Sequence, residues 1–96
     1  MILSEIEFNW DDEKNKRNIE IHGISFETAA YVFLDPDYLE IFDTEHSENE
    51  DRFIVIGRVK EVLFVVYTER NSAIRLISAR KATERERRLY YGRIQN

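Results

Sequence analysis

Three apolar segments separated by very short polar connections constrain the fold of this chain more than any other feature. The segments cover residues 52–59, 62–69 and 73–80, and the connections are Lys60-Glu61 and Arg70-Asn71-Ser72. Connections this short suit antiparallel hairpins, because a parallel crossover needs a dozen or more residues. Every residue from 62 to 67 is apolar, which is typical of a central strand that is covered, at least in part, on both faces. The sequence therefore predicts an antiparallel three-stranded unit with 62–69 in the middle.

The N-terminal half predicts one strand and two helices. Glu5–Trp10 has the pattern of a short strand, and a helix from about Asp12 to His22 follows, with acidic residues at its positive end and Gly23 as a left-handed cap. Ser25 caps a second helix whose apolar residues recur at helical spacing, namely Phe26, Ala29, Ala30 and Phe33. We interpret the aromatic residues of this half as core rather than as a ligand cage, namely Phe8, Trp10, Phe26 and Phe33.

The remaining segments complete an α+β pattern. Asp35-Pro36-Asp37 ends the second helix, Tyr38–Phe42 predicts a strand, and residues 43–51 predict a solvated loop. A capping box, Thr83-Glu84-Arg85-Glu86, opens a basic helix that runs to about Tyr91. The order of one strand, two helices, four strands and one helix predicts helices packed on a mainly antiparallel sheet. At 11.5 kDa, residues 1–96 are expected to form a single domain.

Composition and missing motifs exclude several classes of protein. The chain has no cysteine, so it has neither disulfides nor thiolate metal sites, and a reducing compartment suits it. Its first residues lack the pattern of a signal peptide, and its longest apolar run is far too short to span a membrane, so we expect a cytoplasmic protein without a membrane partner. No GxGxxG, Walker or GxSxG motif occurs, and no cofactor is expected.

The net charge of −5 hides a strong asymmetry between the two halves. Residues 1–51 contain three basic and 15 acidic side chains, which gives −12, whereas residues 52–96 contain 11 basic and four acidic ones, which gives +7. This division suggests two partners of opposite charge, or self-pairing.

The basic residues of the C-terminal half concentrate on the last strand and the helix after it. They are accompanied by Tyr90 and Tyr91, and they comprise Arg75, Arg80, Lys81, Arg85, Arg87, Arg88 and Arg93. Guanidinium groups match phosphate oxygens and aromatic rings stack on unpaired bases, so the set predicts a surface for single-stranded nucleic acid. The alternative is a solvated helix whose arginines pair with Glu84 and Glu86 or with the acidic half.

Arg75 is the sharpest single candidate, because it stands between Ile74 and Leu76 in a predicted strand interior. A charge there is costly unless it faces a groove or a partner. The alternative is an edge-strand arginine over a polar face. Arg52 and Arg58 share one face of their strand, where either joins the same cluster or is simply solvated.

The two histidines offer weaker candidates. His22 precedes Gly23, where a cation at the helix C-terminus completes the cap, so this role competes with a catalytic one. His46 lies among acidic residues, but neither an EF-hand glycine nor an HExxH spacing is present, so we do not expect a metal site.

Several strings in a fixed order resemble the BrnT family of bacterial type II toxins over almost the whole chain. They are Phe8-Asn9-Trp10-Asp11 with Lys14 and Asn18, His22-Gly23-Ile24-Ser25-Phe26-Glu27 with Ala29-Ala30, Phe33-Leu34-Asp35-Pro36, His46-Ser47 with Glu50-Asp51-Arg52, and Ile74-Arg75-Leu76-Ile77-Ser78-Ala79-Arg80-Lys81-Ala82 with Glu86 and Tyr90. The resemblance implies a RelE-like ribonuclease fold and inhibition of translation by RNA cleavage. It also implies a BrnA-type antitoxin with a ribbon-helix-helix DNA-binding domain, a complex of two toxins and two antitoxins, and operator binding through the antitoxin only.

The resemblance gives the candidate residues chemical roles. Cleavage by the ribose 2'-hydroxyl needs a base, an acid and stabilisation of charge on phosphorus. Arg75 and Arg80 are expected to neutralise that charge, and Lys14, His22 and Tyr90 to transfer protons or position the substrate. The expected RNA-binding residues are Arg52, Arg58, Lys81, Arg85 and Arg88. A non-catalytic module that assembles with a DNA-binding antitoxin is the alternative function, and a generic nucleic-acid-binding protein is a third.

Overall fold

One mixed sheet carries the fold of residues 1–94, which are the residues that the computed structural model describes. The strands are β1 (Ile2–Leu3), β2 (Ile6–Asn9), β3 (Leu39–Phe42), β4 (Arg52–Val59), β5 (Glu61–Arg70) and β6 (Ala73–Lys81). The α-helices are α1 (Asp12–His22), α2 (Phe26–Ala30) and α3 (Glu84–Ile94), and 3-10 helices cover Tyr31–Leu34 and Thr44–His46. No helix within 1–94 is long and apolar enough to cross a membrane.

The strands follow the order β1-β2-β6-β5-β4-β3, and all neighbours are antiparallel except β2 and β6. The α+β class and the mainly antiparallel sheet are therefore confirmed. The predicted unit of β4, β5 and β6 is confirmed as well, with β5 between its two partners. Asn71 and Ser72, which join β5 to β6, both have positive φ angles, as a tight two-residue hairpin turn requires.

Four local features differ from the sequence prediction, beyond shifts of one residue at the ends of several strands. A short edge strand, β1, was not predicted; it pairs with β2 across a turn in which Ser4 and Glu5 have positive φ. The second helix changes to 3-10 geometry after Ala30, which tightens the chain before the break at Pro36. A 3-10 helix occupies part of the expected loop 43–51, and α3 extends to Ile94.

The first face of the sheet is closed by α2 and the 3-10 helix that follows it. Phe26, Ala29 and Val32 from these helices pack on sheet residues such as Val65 and Leu76. Burial of an apolar side chain of this size contributes about 1.5–3 kcal/mol, so this face holds most of the core. The four aromatic residues predicted to be core all pack in this cluster, Phe8 and Phe26 fully buried and Trp10 and Phe33 partly so.

Helix α1 lies along the edge of β6 where β2 no longer pairs with it. Its one buried residue is Asn18, whose side-chain amide donates to the carbonyl oxygens of Ala79 and Ile24, both at 2.8 Å. The Asn18 Oδ1 atom accepts from the Ala79 amide at 3.1 Å. Asn18 thus satisfies both backbone groups of Ala79, as a neighbouring strand would, and fixes α1 beside the C-terminal part of β6.

The second face of the sheet is only partly covered. A smaller cluster forms where α3 packs on it, with Ile56, Val62 and Tyr90 buried, and Phe64 and Ile54 partly buried. Toward the start of β4 and the end of β5, Arg52, Ile54 and Val66 of this face keep partial solvent exposure, although Thr68 is buried. The charged candidate residues of β4 and β6 therefore lie on a face that remains accessible.

Candidate nucleic-acid interface

Three rows of paired residues cross the second face of the sheet. Side chains of directly paired residues point to the same face, so pairing identifies each row. The first row, read from β4 to β2, is Arg52, Thr68, Arg75 and Asn9. The middle row, read from β3 to β6, is Ile41, Ile54, Val66 and Ser78, and the third is Leu39, Ile56, Phe64 and Arg80.

A β-bulge in β6 brings Arg75 and Arg80 to the same face. They are five positions apart in the sequence, and strict alternation would place them on opposite faces. The pairing register shifts between Val66 and Tyr67, which pair with Ser78 and Leu76, so Ile77 is the extra residue. The sequence prediction placed both arginines on one surface, and the bulge is the structural reason that they share a face.

The first row ends in a narrow cleft, which we name the arginine cleft. It has a volume of about 80 Å³ and lies between the start of α1, the middle of β6, and the junction of loop 43–51 with the β5–β6 turn. Its lining residues are Asp11, Lys14, Glu50, Arg52, Arg70, Arg75, Leu76 and Ile77. Four cations and two carboxylates give the lining a net charge of +2. The cleft opens into a wider depression that shares Glu50, Arg52 and Arg70 with it.

Asp11 positions Lys14 at the cleft by capping α1. Its Oδ1 atom accepts from the amides of Glu13 at 2.9 Å and Lys14 at 3.0 Å. The hydrogen bond from Lys14 is the main reason that the pKa of Asp11 is lowered, and the charges of Lys14 and Arg75 lower it further. Asp11 is thus held as a carboxylate beside two cations of the cleft.

Arg75 and Arg70 are held in different ways. Arg75 is half-buried, and its Nη1 atom donates to Asn9 Oδ1 at 2.9 Å, which leaves the Nε and Nη2 edge of the guanidinium without a protein acceptor in residues 1–94. In Arg70 that edge is occupied, because Nε and Nη2 donate to Glu50 at 3.0 and 2.7 Å. The same bond lowers the pKa of Glu50 and raises the pKa of Arg70.

Arg80 stands at the other end of the face, beside α3. Its Nη1 and Nη2 atoms donate to the two oxygens of Glu86 at 2.8 and 2.9 Å, and its guanidinium carbon lies 4.0 Å from the centre of the Phe64 ring. The pair lowers the pKa of Glu86 and raises the pKa of Arg80. The Nε atom of Arg80 has no acceptor within residues 1–94, so this arginine also keeps a free edge.

The structure divides the predicted basic surface into two parts. Lys14, Arg52 and Arg75 meet in the arginine cleft, whereas Arg80 lies across the middle row from them. Lys81 pairs with Glu61 at 3.5 Å, and Arg88 pairs with Glu84 on the exposed side of α3. The other predicted cations also lie outside the cleft, with Arg58 in a separate groove near Asp35 and Arg85 exposed on α3.

Two predicted proton-transfer residues lie away from the cleft. His22 is exposed at the end of α1, eight residues or about 12 Å along the helix from Lys14. Tyr90 is buried, and its hydroxyl donates to Asp35, which also accepts from the Arg58 amide. Burial, followed by that hydrogen bond, raises the pKa of Tyr90. The catalytic roles of both residues stay predictions.

Sequence reasoning missed Arg70 and Glu50 as cleft residues, because one was assigned to a turn and the other to a solvated loop. The predicted hairpin of β4 and β5 could have indicated that these two residues are neighbours. When β4 and β5 pair antiparallel, the residues before Arg52 lie beside the residues after Thr68. Loop 43–51 and the β5–β6 turn are therefore neighbours in space.

His46 of the acidic loop contacts a neighbouring carboxylate. His46 Nδ1 lies 3.0 Å from Asp43 Oδ2. No group of three or more His, Asp or Glu side chains within residues 1–94 has the arrangement of a metal site.

Comparison with known proteins agrees with this architecture. The sequence profile of a family described as the ribonuclease toxin BrnT of type II toxin-antitoxin systems matches residues 10–86. The structure resembles that of the Brucella abortus ribonuclease toxin BrnT with a TM-score of 0.65 and 23% identity, over 82% of this chain and 99% of that one. No curated protein sequence matches the chain significantly.

The matched residues 10–86 include Lys14, Arg52, Arg70, Arg75 and Arg80, so the profile covers both parts of the basic face. A match over this share of the chain decides the family, and the structural resemblance agrees in fold. The chain belongs to the BrnT family, the ribonuclease toxins of type II toxin-antitoxin systems.

Proposed function

We propose that this protein is a metal-independent endoribonuclease that cleaves RNA on the second face of its sheet and thereby inhibits translation. The observation that supports this most is the arginine cleft, in which Lys14, Arg52 and Arg75 converge beside an open sheet face. A phosphate in this cleft would meet three cations that are fixed on three different elements. Such prearranged charge is the main resource of a site that cleaves RNA without a metal ion.

The reaction starts with attack of the ribose 2'-oxygen on the adjacent phosphorus. A bond from phosphorus to O2' forms, the bond to O5' breaks, and the products are a 2',3'-cyclic phosphate and a 5'-hydroxyl. The 2'-hydroxyl loses its proton and O5' gains one, so the proton count balances. Negative charge on the phosphoryl oxygens is greatest in the transition state, which is where cations in the cleft contribute most.

Arg75 is suited to hold that charge because Asn9 fixes one side of its guanidinium and leaves the Nε and Nη2 edge for two phosphate oxygens. Lys14 is the one of the three predicted proton-transfer residues that lines the cleft. Its ammonium group can donate to a phosphate oxygen or give a proton to the leaving O5'. Arg52 adds a third cation from the start of β4.

The antitoxin that a type II toxin implies is proposed to be of the BrnA type, with a ribbon-helix-helix domain that binds operator DNA. Two toxins and two antitoxins would form the complex, and the toxin would reach DNA through the antitoxin. We also propose the RelE-like classification of the fold and a cytoplasmic site of action. These proposals rest on the family resemblance.

The direct test incubates the antitoxin-free chain with end-labelled RNA in the presence of a chelator and assays 2',3'-cyclic phosphate ends. The expected result is cleavage by the parent and none by the Arg75→Ala, Arg80→Ala double variant. Equal cleavage by both would contradict the location of the site. Absence of cleavage by the parent, on free RNA and on translating ribosomes alike, would contradict the enzymatic function and favour a module that only assembles with its antitoxin.

A further inference from the structure

The two arginines with free edges are too far apart to bind one phosphate. Along β5, their pairing partners Thr68 and Phe64 are four residues apart, which corresponds to about 13 Å. Their side chains also diverge. Arg75 reaches toward Asn9 on β2, whereas Arg80 lies over Phe64 on β5. One phosphate group needs all its donors at about 3 Å, so each arginine must bind a different one.

Both guanidinium groups are held by protein acceptors on one side and keep a free edge of the same kind. Asn9 holds Arg75 through Nη1. Glu86 holds Arg80 through Nη1 and Nη2, and Nη1 of Arg80 also donates to the Lys81 carbonyl oxygen at 3.1 Å. In each case Nε and the adjacent hydrogen of Nη2 remain available within the described chain. A guanidinium that is fixed in advance loses little entropy when it binds a phosphate by this edge.

The surface between the two arginines is mainly apolar and half-buried. Its central residues are Ile54, Val66 and Ser78 of the middle row, and each keeps partial solvent exposure. One plane of the Arg80 guanidinium faces the Phe64 ring, so the opposite plane is available for a stacked base. Such a surface suits the riboses and unpaired bases of a strand that runs between two bound phosphates.

The geometry points to a second phosphate-binding site at Arg80, which binds the same single RNA strand as the arginine cleft but a different phosphate. This inference rests on the proposed function, since the cleft is taken as the place of cleavage. The strand that occupies both sites contains at least two phosphates and therefore at least three nucleosides. Arg80 then contributes to substrate binding, and Arg75 to the reacting phosphate.

The experiment compares cleavage of a dinucleoside monophosphate with cleavage of an unpaired octamer. Arg80→Ala is expected to lower kcat/KM for the octamer about tenfold, mainly through KM, and to leave the dinucleotide unaffected. Arg75→Ala is expected to lower kcat for both substrates. Lys16→Ala removes an exposed cation of α1 outside the cleft and serves as the matched control. An equal loss on both substrates for Arg80→Ala would overturn the inference while leaving the ribonuclease function intact.

A binding series separates this inference from catalysis. Oligonucleotides with 2'-O-methyl groups cannot be cleaved, so anisotropy measures their affinity alone. Affinity for the parent is expected to rise from the dimer to the tetramer, and Arg80→Ala should remove that rise and reduce the salt slope by about 0.7. Affinity that is independent of length, or no binding by the parent, would overturn the inference. If Arg80→Ala unfolds because Glu86 loses its partner, Arg80→Ala with Glu86→Gln removes both charges and repeats the test.

Discussion

The two faces of the sheet are formed by the same strands but differ in how far helices cover them. On the first face, Val65 and Leu76 are buried in a core cluster that α2 and the 3-10 helix complete. On the second face, α3 covers only the end near Ile56 and Val62, and the remaining rows carry arginines and half-buried apolar residues. The first face therefore holds most of the core, and the second is the face on which we propose that RNA binds.

This division also explains how a chain of net charge −5 can approach RNA. Most acidic residues belong to the N-terminal half, which supplies α1, α2 and the loop 43–51. The basic half supplies β4, β5, β6 and α3, and Arg52, Arg75 and Arg80 lie on the second face. Local charge at the binding surface matters more for phosphate affinity than the total.

The substitution that tests the difference between the two faces most strongly is Arg75→Ala, which changes a side chain of the second face only. Loss of one well-placed cation at a reacting centre costs about 3–4 kcal/mol of transition-state stabilisation, so the single-turnover cleavage rate should fall about 10²- to 10³-fold. The urea unfolding midpoint should stay close to that of the parent. A loss of stability that parallels the loss of rate would show that Arg75 acts through the fold.

Asn18→Ala tests the hydrogen bonds that attach α1 to the edge of β6. Three buried hydrogen bonds disappear and both backbone groups of Ala79 lose their partner, so the free energy of unfolding should fall by about 2–4 kcal/mol in urea titrations. Asn49→Ala, at an exposed position of the loop, is the control and should leave the midpoint unchanged. An unchanged midpoint for Asn18→Ala would mean that α1 is not needed to complete the edge of β6.

Gly57→Ala tests how closely the first face is packed. An added Cβ atom would lie 3.0 Å from the Val32 Cβ atom and 3.1 Å from its carbonyl oxygen. Overpacking of this kind should cost about 1–3 kcal/mol of unfolding free energy. Gly92→Ala, where nothing lies within 4 Å of the added atom, is the matched control and is expected to be neutral or slightly stabilising. Equal stability of the two variants would contradict the close approach of the 3-10 helix to β4.

Glu86→Gln tests the ion pair that fixes Arg80. The pKa of Glu86 is lowered from its ordinary value of 4.5 in the folded chain, so the pair contributes stability above pH 4.5 and loses it as the pH falls through the folded-state pKa. We expect the free energy of unfolding of the parent to exceed that of the variant by about 1 kcal/mol at pH 7, and the difference to shrink as the pH falls below 4.5. A difference that does not change with pH would mean that the carboxylate charge is not what stabilises this end of α3.

Glu50→Gln should have the smallest effect, and it should strengthen a property, the affinity for RNA, rather than weaken one. Glutamine offers one acceptor oxygen instead of two, so Arg70 loses one of its two hydrogen bonds, and the positive charge of the arginine cleft rises. Affinity for a 2'-O-methyl RNA tetramer should increase by a few-fold at low salt, and less at high salt. Weaker binding would show instead that Glu50 is needed to hold Arg70 in place.

Local patterns were enough to predict the helices and the meander of β4, β5 and β6. Asp11, Gly23, Ser25 and the capping box at Thr83 act within a few residues, so their structural consequences can be deduced from sequence. The parallel pairing of β2 with β6 could not be predicted in this way, because it joins two strands that are far apart in the sequence. No local pattern encodes that choice.

The site was harder to predict for the same reason. Arg75 was identified from its place in a strand, and Lys14 from the family resemblance. The bulge at Ile77, which sets the faces of Arg75 and Arg80, follows from packing against β5 and has no signature in the sequence. The ion pair between Arg70 and Glu50 joins residues 20 positions apart and becomes visible only once the hairpins are assembled.

The location of bound RNA is tested most directly by amide chemical-shift mapping during titration with a 2'-O-methyl RNA octamer. We expect the largest shifts at residues of the second face, in particular Arg52, Arg75 and Ser78, and small shifts at the first-face residues Ala29 and Val55. Shifts confined to the exposed side of α3 around Arg85 and Arg88, or to the groove around Arg58, would contradict the assignment of the open sheet face as the RNA-binding surface.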